Sequence, residues 1–322
     1  MGQDSRIEWT THTFNPWVGC TKVGPGCAHC YAERWAKRSG LVQWGPNAGR
    51  RRTRAANWRA PRRWAAAGAA AARRPRVFCA SLADVFDDQV PVAWRTDLWA
   101  LIRETPDLDW IIVTKRIAGA AALLPPDWGD GWPQVWLLAT VCGQDEAERD
   151  VPRLLATPSA RRGLSCEPLL GPIALRQLDA GGPAASVDAL TGRWAGGAGH
   201  VTTGPRLDWV IAGGESGPNA RPMHPRWVRA LRDDCQAAGV AFFFKQWGEW
   251  GPAELVSPAP AARHARIALP PDDTAVYRLG RRRAGRALDG RTWDQLPSGP
   301  PSGRDGHPGA DTAGSNHAVG DR

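Results

Sequence analysis

Residues 108–116 read LDWIIVTKR. Trp110, Ile111, Ile112 and Val113 form an unbroken apolar run, which then gives way at once to Thr114, Lys115 and Arg116. A run this short, rich in β-branched side chains and lacking polar alternation, suits a strand buried on both faces, as in a parallel sheet. The same shape returns along the chain: RVFCASLADVF at 76–86, QVWLLATVCGQ at 134–144, RRGLSCEPLL at 161–170, LDWVIAGGESG at 207–217 and VAFFFKQWGEW at 240–250. RIEWTTHTF at 6–14 reads as a further strand ahead of them.

Helical patterns lie between these runs. AWRTDLWALIRET places Trp94, Leu98, Trp99 and Ile102 on one face. PRWVRALRDDCQAAG opens with Pro225, carries Trp227, Val228, Leu231 and Cys235 at helical spacing, and meets Gly239 where a C-capping glycine belongs. YAERWAKRSG reads as another helix, ending at Gly40. Alternation of about seven strands with helices predicts an α/β fold: a complete or partial β/α TIM-like barrel with parallel strands, or a doubly wound sheet.

The barrel pattern is expected to fill residues 1–250. It is interrupted by an Arg-rich segment at 49–76, with ten arginines and no acid, and by a Gly-rich insertion at 179–206. A small C-terminal appendage over 251–297 and a disordered tail over 298–322 complete the expected organisation.

The chain has 322 residues, 43% of them hydrophobic, and a formal charge of +9. That is long enough for a large buried core, and the charge permits contact with nucleic acid without requiring it. The N-terminal MGQDSRIEWTTHTF has no apolar core of the kind a signal peptide carries, and no apolar run approaches the length of a membrane span. Seven cysteines, four of them solitary (Cys79, Cys142, Cys166, Cys235), do not form a secreted disulfide framework. A cytoplasmic location is expected, with the solitary cysteines as small core residues.

The other three crowd together. In NPWVGCTKVGPGCAHCYAERWAKR, Cys20, Cys27 and Cys30 fall in a Gly- and Pro-rich loop with spacing C-x6-C-x2-C. Cys27 and Cys30 can meet on one metal or cluster, and Gly24–Pro25–Gly26 lets the longer arm fold back to bring in Cys20. Three thiolates suit a 4Fe–4S cluster with one iron left open. Structural zinc takes four ligands, so a zinc site would need His29 or a solitary cysteine as the fourth. Loop thiols without any metal are the third reading.

In a β/α barrel, reactive groups gather at the C-terminal strand ends. Here those ends carry Ser81 and Asp84; Thr114, Lys115 and Arg116; Thr140; Glu167; Glu215 and Ser216; and Lys245 and Gln246. Glu167 and Lys245 are the candidate catalytic pair. Lys245 is placed to donate a proton or meet a phosphate, and Glu167 is expected to need Lys115 or Lys245 as a partner. Gly213 and Gly214 would let backbone approach a ligand closely, and Glu215 could accept from an amine or ribose. The same residue types also serve as helix caps and turn residues in any parallel sheet.

The stretches IEWTTHTFNPWVGCTKVGPGCAHCYAE, WIIVTKR, LSCEPLLGP, DWVIAGGESGPNARPMHPRWVRALRDDCQAAGVAFFFKQWGEW and AGRALDGRTWDQLP together resemble a phage- and prophage-associated family of unknown function. In that family, neighbouring genes often encode three-Cys-motif partner proteins. The resemblance spans about residues 5–295. Through its cysteines and barrel pattern the chain is also similar to radical S-adenosylmethionine enzymes, although most of those use C-x3-C-x2-C. That similarity implies an open iron chelating S-adenosylmethionine, and reductive cleavage of its S–C5′ bond to give a hydrogen-abstracting adenosyl radical. Carried over to this chain, it makes Cys20, Cys27 and Cys30 cluster ligands. Tyr31, Ser81, Asp84, Thr140, Gly213, Gly214 and Glu215 become candidate cofactor contacts.

A competing expectation is a non-enzymatic module in which the cysteines bind zinc and the basic surface binds nucleic acid or a partner protein. A cluster used only for structure or electron transfer is a further one. The Arg-rich segment could grip a phosphate backbone, with Trp58 and Trp64 free for base stacking, or it could be a solvated, mobile connector.

Overall fold

The computed structural model describes residues 2–71, 74–181, 184–196, 199–256 and 264–298. Seven strands form one sheet: β1 (His12–Phe14), β2 (Arg76–Cys79), β3 (Asp109–Thr114), β4 (Val135–Thr140), β5 (Arg161–Cys166), β6 (Trp209–Gly213) and β7 (Ala241–Gln246). Their spatial order follows their order in the chain, and every neighbouring pair is parallel. A doubly wound sheet reverses direction at a switch point, and this one does not. The architecture is an open, singly wound β/α half-barrel.

Winding in one direction with right-handed crossovers places the helices on one face. α1 (Tyr31–Ser39) and α2 (Ala60–Ala70) lie between β1 and β2, α3 (Val92–Arg103) follows β2, α4 (Gln144–Ala156) follows β4, and α5 (Pro225–Ala238) follows β6. Leu98, Ile102, Val151, Leu154, Val228 and Leu231 from these helices join Val77, Trp110, Ile112, Leu137, Val210 and Phe242 from the strands in one large core. The alternate strand residues face inward. Phe78, Ile111, Trp136, Leu138, Trp209, Ile211 and Phe243 form a second, separate cluster with Trp9.

Trp9 shows how far the sheet curls. Its ring centroid lies 4.8 Å from that of Phe78 on β2 and 6.1 Å from that of Trp209 on β6. Four strand spacings in a flat sheet would separate those strands by about 19 Å. Trp9 therefore plugs the concave side of a curved sheet. The far edge is covered by the C-terminal segment: Phe244 N–H donates to Trp293 O at 2.9 Å, and Gln295 N–H to Phe242 O at 3.2 Å.

Helix ends fall where the glycines predict. Gly40 and Gly239 cap α1 and α5 in the left-handed conformation, at φ 65° and 68°. The Gly-rich insertion supplies three antiparallel strands (Ala184–Asp188, Arg193–Gly196, Val201–Thr203) between β5 and β6. Beyond β7, Trp250–Pro252, Arg266–Leu269 and Thr274–Arg278 pair as a small antiparallel sheet, followed by a short helix at Arg281–Ala284. Residues 299–322, read from composition as disordered, lie outside the described residues.

The Arg-rich segment requires a correction. Its described part is neither a connector nor a stacking platform but includes the helical crossing from β1 to β2. Trp58 and Trp64 are buried. Trp64 stacks on His12 at 4.4 Å, and the Arg52 guanidinium covers Trp58 at 4.3 Å. Arg52, Arg62 and Arg74 pair with Asp97, Glu104 and Asp109, and Arg50 is wholly buried against Asp87 at 2.7 Å. The aromatic faces went to the core because the crossing helix has to cover the sheet.

Candidate functional site

The C-terminal strand ends open into one cavity of about 440 Å³. After β1 the chain passes through Trp17–Val18, which pairs with Arg51–Arg52, and reaches Cys20. A 3-10 turn at Pro25–Cys27 follows, and Cys30 stands at the N-cap of α1. Cys20, Cys27 and Cys30 all line the cavity. The turn depends on Gly26, because a Cβ there would lie 2.4 Å from the sulfur of buried Cys142.

Two arginines fasten this loop. Arg116, at the end of β3, donates to Cys20 Sγ at 3.2 Å and to Thr21 O at 2.8 Å, and pairs with Asp84 at 3.3 Å. Asp84 also accepts from Thr114 Oγ1 at 2.8 Å and Lys115 N–H at 3.1 Å, so it fixes the strand end. Burial, with Asp84 nearby, pushes the Cys20 thiol up to about 12 against the pull of Arg116. On the opposite side, Arg221 donates to both oxygens of Glu215, at 2.9 and 2.7 Å, and to Pro25 O at 3.0 Å. His29 Nδ1 sits 3.0 Å from Glu215 Oε2, and Arg34 donates to Ser216 O at 2.9 Å. Burial pushes the Glu215 carboxyl up, but the hydrogen bonds from Arg221 and His29 outweigh it and hold the group at about 2.

The remaining wall is made by strand ends. Ala80, directly after β2, adopts a left-handed backbone conformation at φ 63°. Strained conformations of this kind cluster at functional sites. Next to it, Ser81 exchanges hydrogen bonds with Asn15, and Ser81 O accepts from the Tyr31 hydroxyl at 2.6 Å. Lys115 Nζ reaches Thr140 Oγ1 at 3.4 Å. Lys245 donates to Glu167 Oε2, whereas Glu167 Oε1 is buried without a protein partner. A buried carboxylate oxygen without a protein partner is uncommon in a native fold. Among the described residues, no three His, Cys, Asp or Glu side chains gather closely enough to hold a single metal ion.

A family described as "protein of unknown function", DUF5131, matches residues 4–297. The chain belongs to the DUF5131 family. No curated protein and no solved structure matches it. The DUF5131 match covers the half-barrel, the cysteine loop and the C-terminal segment that closes the sheet edge.

In this DUF5131 protein the fold brings Tyr31, Ser81, Asp84, Thr140, Glu167, Gly214, Glu215 and Lys245 to the same cavity as the three cysteines. Gly213 does not line it. The glycines also differ in purpose from the sequence reading. A Cβ on Gly214 would lie 1.9 Å from Trp247 O, so Gly214 lets the end of β6 pack backbone to backbone against the residue after β7, whereas a Cβ on Gly213 would make only ordinary contact. Glu215 is engaged by Arg221 and His29 rather than open to an amine or ribose. Glu167 takes Lys245, not Lys115, as its partner. Cys79, Cys142, Cys166 and Cys235 are all buried, as small core residues should be.

Sequence reasoning missed Arg221, Arg34, Trp44 and Arg281. Arg34 follows Tyr31 by three residues on α1 and so shares its face, a signal the sequence did contain. Arg281 reaches the mouth from the appendage, which no local pattern announces. Among the described residues no helix is long and apolar enough to cross a membrane.

Proposed function

We propose that this protein is an iron–sulfur enzyme of the radical S-adenosylmethionine type, with Cys20, Cys27 and Cys30 as the ligands of a 4Fe–4S cluster. The observation that carries the reading is the arrival of all three thiols on the wall of the cavity at the C-terminal mouth of a parallel half-barrel. Zinc would draw its thiolates to about 2.3 Å from one point. A cubane gives each cysteine its own iron, so its ligands do not have to converge on one point, and three ligands leave one corner open. When bound, the cluster would supply the electron that cleaves the S–C5′ bond of S-adenosylmethionine.

The chain's own residues have definite parts in this reading. Arg116 and Arg221 hold the cysteine loop in register with the strand ends. Glu167 stands on the cavity wall beside the bound molecule, and Lys245 holds its carboxylate in place. Tyr31, tethered through Ser81, walls the cavity beside Cys30. Cytoplasmic residence and a three-Cys-motif partner protein belong to the same proposal, on the strength of the sequence resemblance.

Anaerobic purification tests it. About four irons and four sulfides per chain are expected, with absorption near 400 nm that disappears on Cys27→Ser, and reduction with dithionite should release 5′-deoxyadenosine from S-adenosylmethionine. A colourless protein holding one zinc per chain would establish the zinc-binding interaction module instead. Iron without 5′-deoxyadenosine would leave a cluster serving structure or electron transfer.

A further inference from the structure

The cavity carries a charge imbalance that the cysteines do not explain. Three acids line it, and each is already matched: Asp84 by Arg116, Glu167 by Lys245, and Glu215 by Arg221. Lys115, Arg34 and Arg281 line it too, and among the described residues none of these three cations pairs with a carboxylate. Among the described residues, the hydrogen bonds from the Arg34 and Lys115 side chains go to neutral oxygens, Ser216 O and Thr140 Oγ1. They arrive from unrelated elements: α1, the end of β3 and the C-terminal appendage. Unmatched positive charge in a recess with low-dielectric walls concentrates anions there.

Two further features narrow the anion. Tyr31 leaves 53% of its surface exposed although its hydroxyl is anchored to Ser81 O at 2.6 Å, so its ring is fixed and bare. Trp44 lines the same cavity. An anionic group and a flat π face occur together in a nucleotide. From this we infer that the cavity binds a nucleoside phosphate, with the phosphate toward Lys115, Arg34 and Arg281 and the ring against the Tyr31 wall. The basic site for nucleic-acid chemistry is thereby moved from the Arg-rich segment, whose tryptophans are buried, to the mouth of the barrel. The inference does not require the cysteines to be loaded, so it and the iron–sulfur reading fail separately.

Calorimetric titration of the full chain with adenosine, AMP and a 5′-phosphorylated single-stranded oligonucleotide tests it. AMP should bind at least about tenfold more tightly than adenosine, because charge-assisted contacts to phosphate are the strong ones. Arg281→Ala and Lys115→Met should each weaken AMP by about fivefold or more, while Arg282→Ala, exposed on the same short helix but outside the cavity, should change it less than about twofold. Tighter binding of the oligonucleotide than of AMP would support the site with a strand as the phosphate source. Equal or weaker binding would support it with a free nucleotide as the source. Equal affinity for adenosine and AMP overturns the inference, as does the absence of binding by any of the three, or equal losses from Arg281→Ala and Arg282→Ala.

Discussion

Glu215 shows how a correct choice of residue can carry the wrong role. A carboxylate after a glycine pair at a strand end reads as a ligand acceptor, and it does reach the cavity. Its oxygens, however, are committed to Arg221 and His29, and through them to Pro25 and the cysteine loop. The pairing has a pH signature. The group's ordinary value is 4.5 and the folded value is about 2. A depressed folded pKa contributes stability that is complete above the unfolded value and is lost as pH falls through the folded one. Glu215→Gln should therefore melt below the wild type near neutral pH, and the gap should close between pH 4.5 and 2. Melting temperatures of both proteins across that range would check this; a gap indifferent to pH would show that Glu215 acts by shape alone.

At the scale of elements, the cysteine loop is held by packing as much as by charge. The 3-10 turn carrying Cys27 presses against Cys142, which stands just past the end of β4. Gly26→Ala would put a methyl 2.4 Å from that sulfur. Overpacking of this kind costs about 1–3 kcal/mol. Denaturant unfolding should show such a loss, and adding Cys142→Ala should recover most of it. Recovery is the discriminating result, since a loss caused by backbone propensity would persist in the double variant. Each apolar run yielded its strand, because four consecutive buried side chains can satisfy a parallel sheet covered on both faces. The helix over Ala60–Ala70 stayed hidden because its composition, alanine and arginine, gives a weak apolar stripe. Only contact with Phe14 and His12 on β1 assigns Trp58 and Trp64 inward.

At the scale of the whole molecule, the three cysteines stand apart from the principal core. The principal core runs between the helices and the convex face of the sheet and includes none of Cys20, Cys27 and Cys30. Replacing all three by serine should leave a cooperatively folded protein melting within about 5 °C of the metal-free wild type, as expected for losses near 1 kcal/mol in a domain of this size. Circular dichroism during heating would check it, and collapse of the fold would mean the thiols stabilise more than a loop. The curvature that makes a cavity at all is also a property of the whole: Trp9 must touch strands four places apart.

What the sequence alone determined was local. The strands, several helices with their glycine stops, and a clustered set of thiols follow from patterns a few residues long, where hydrophobic periodicity and backbone sterics act. The partial barrel was legible as a class because its strand–helix alternation admits few topologies. The tertiary structure decided between a singly and a doubly wound sheet, paired Glu167 with Lys245 and Glu215 with Arg221, buried the tryptophans of the Arg-rich crossing, and delivered Arg34 and Arg281 to one mouth. These depend on which distant side chains compete for the same space and the same counter-charge, and that is fixed only when the whole chain closes around its core.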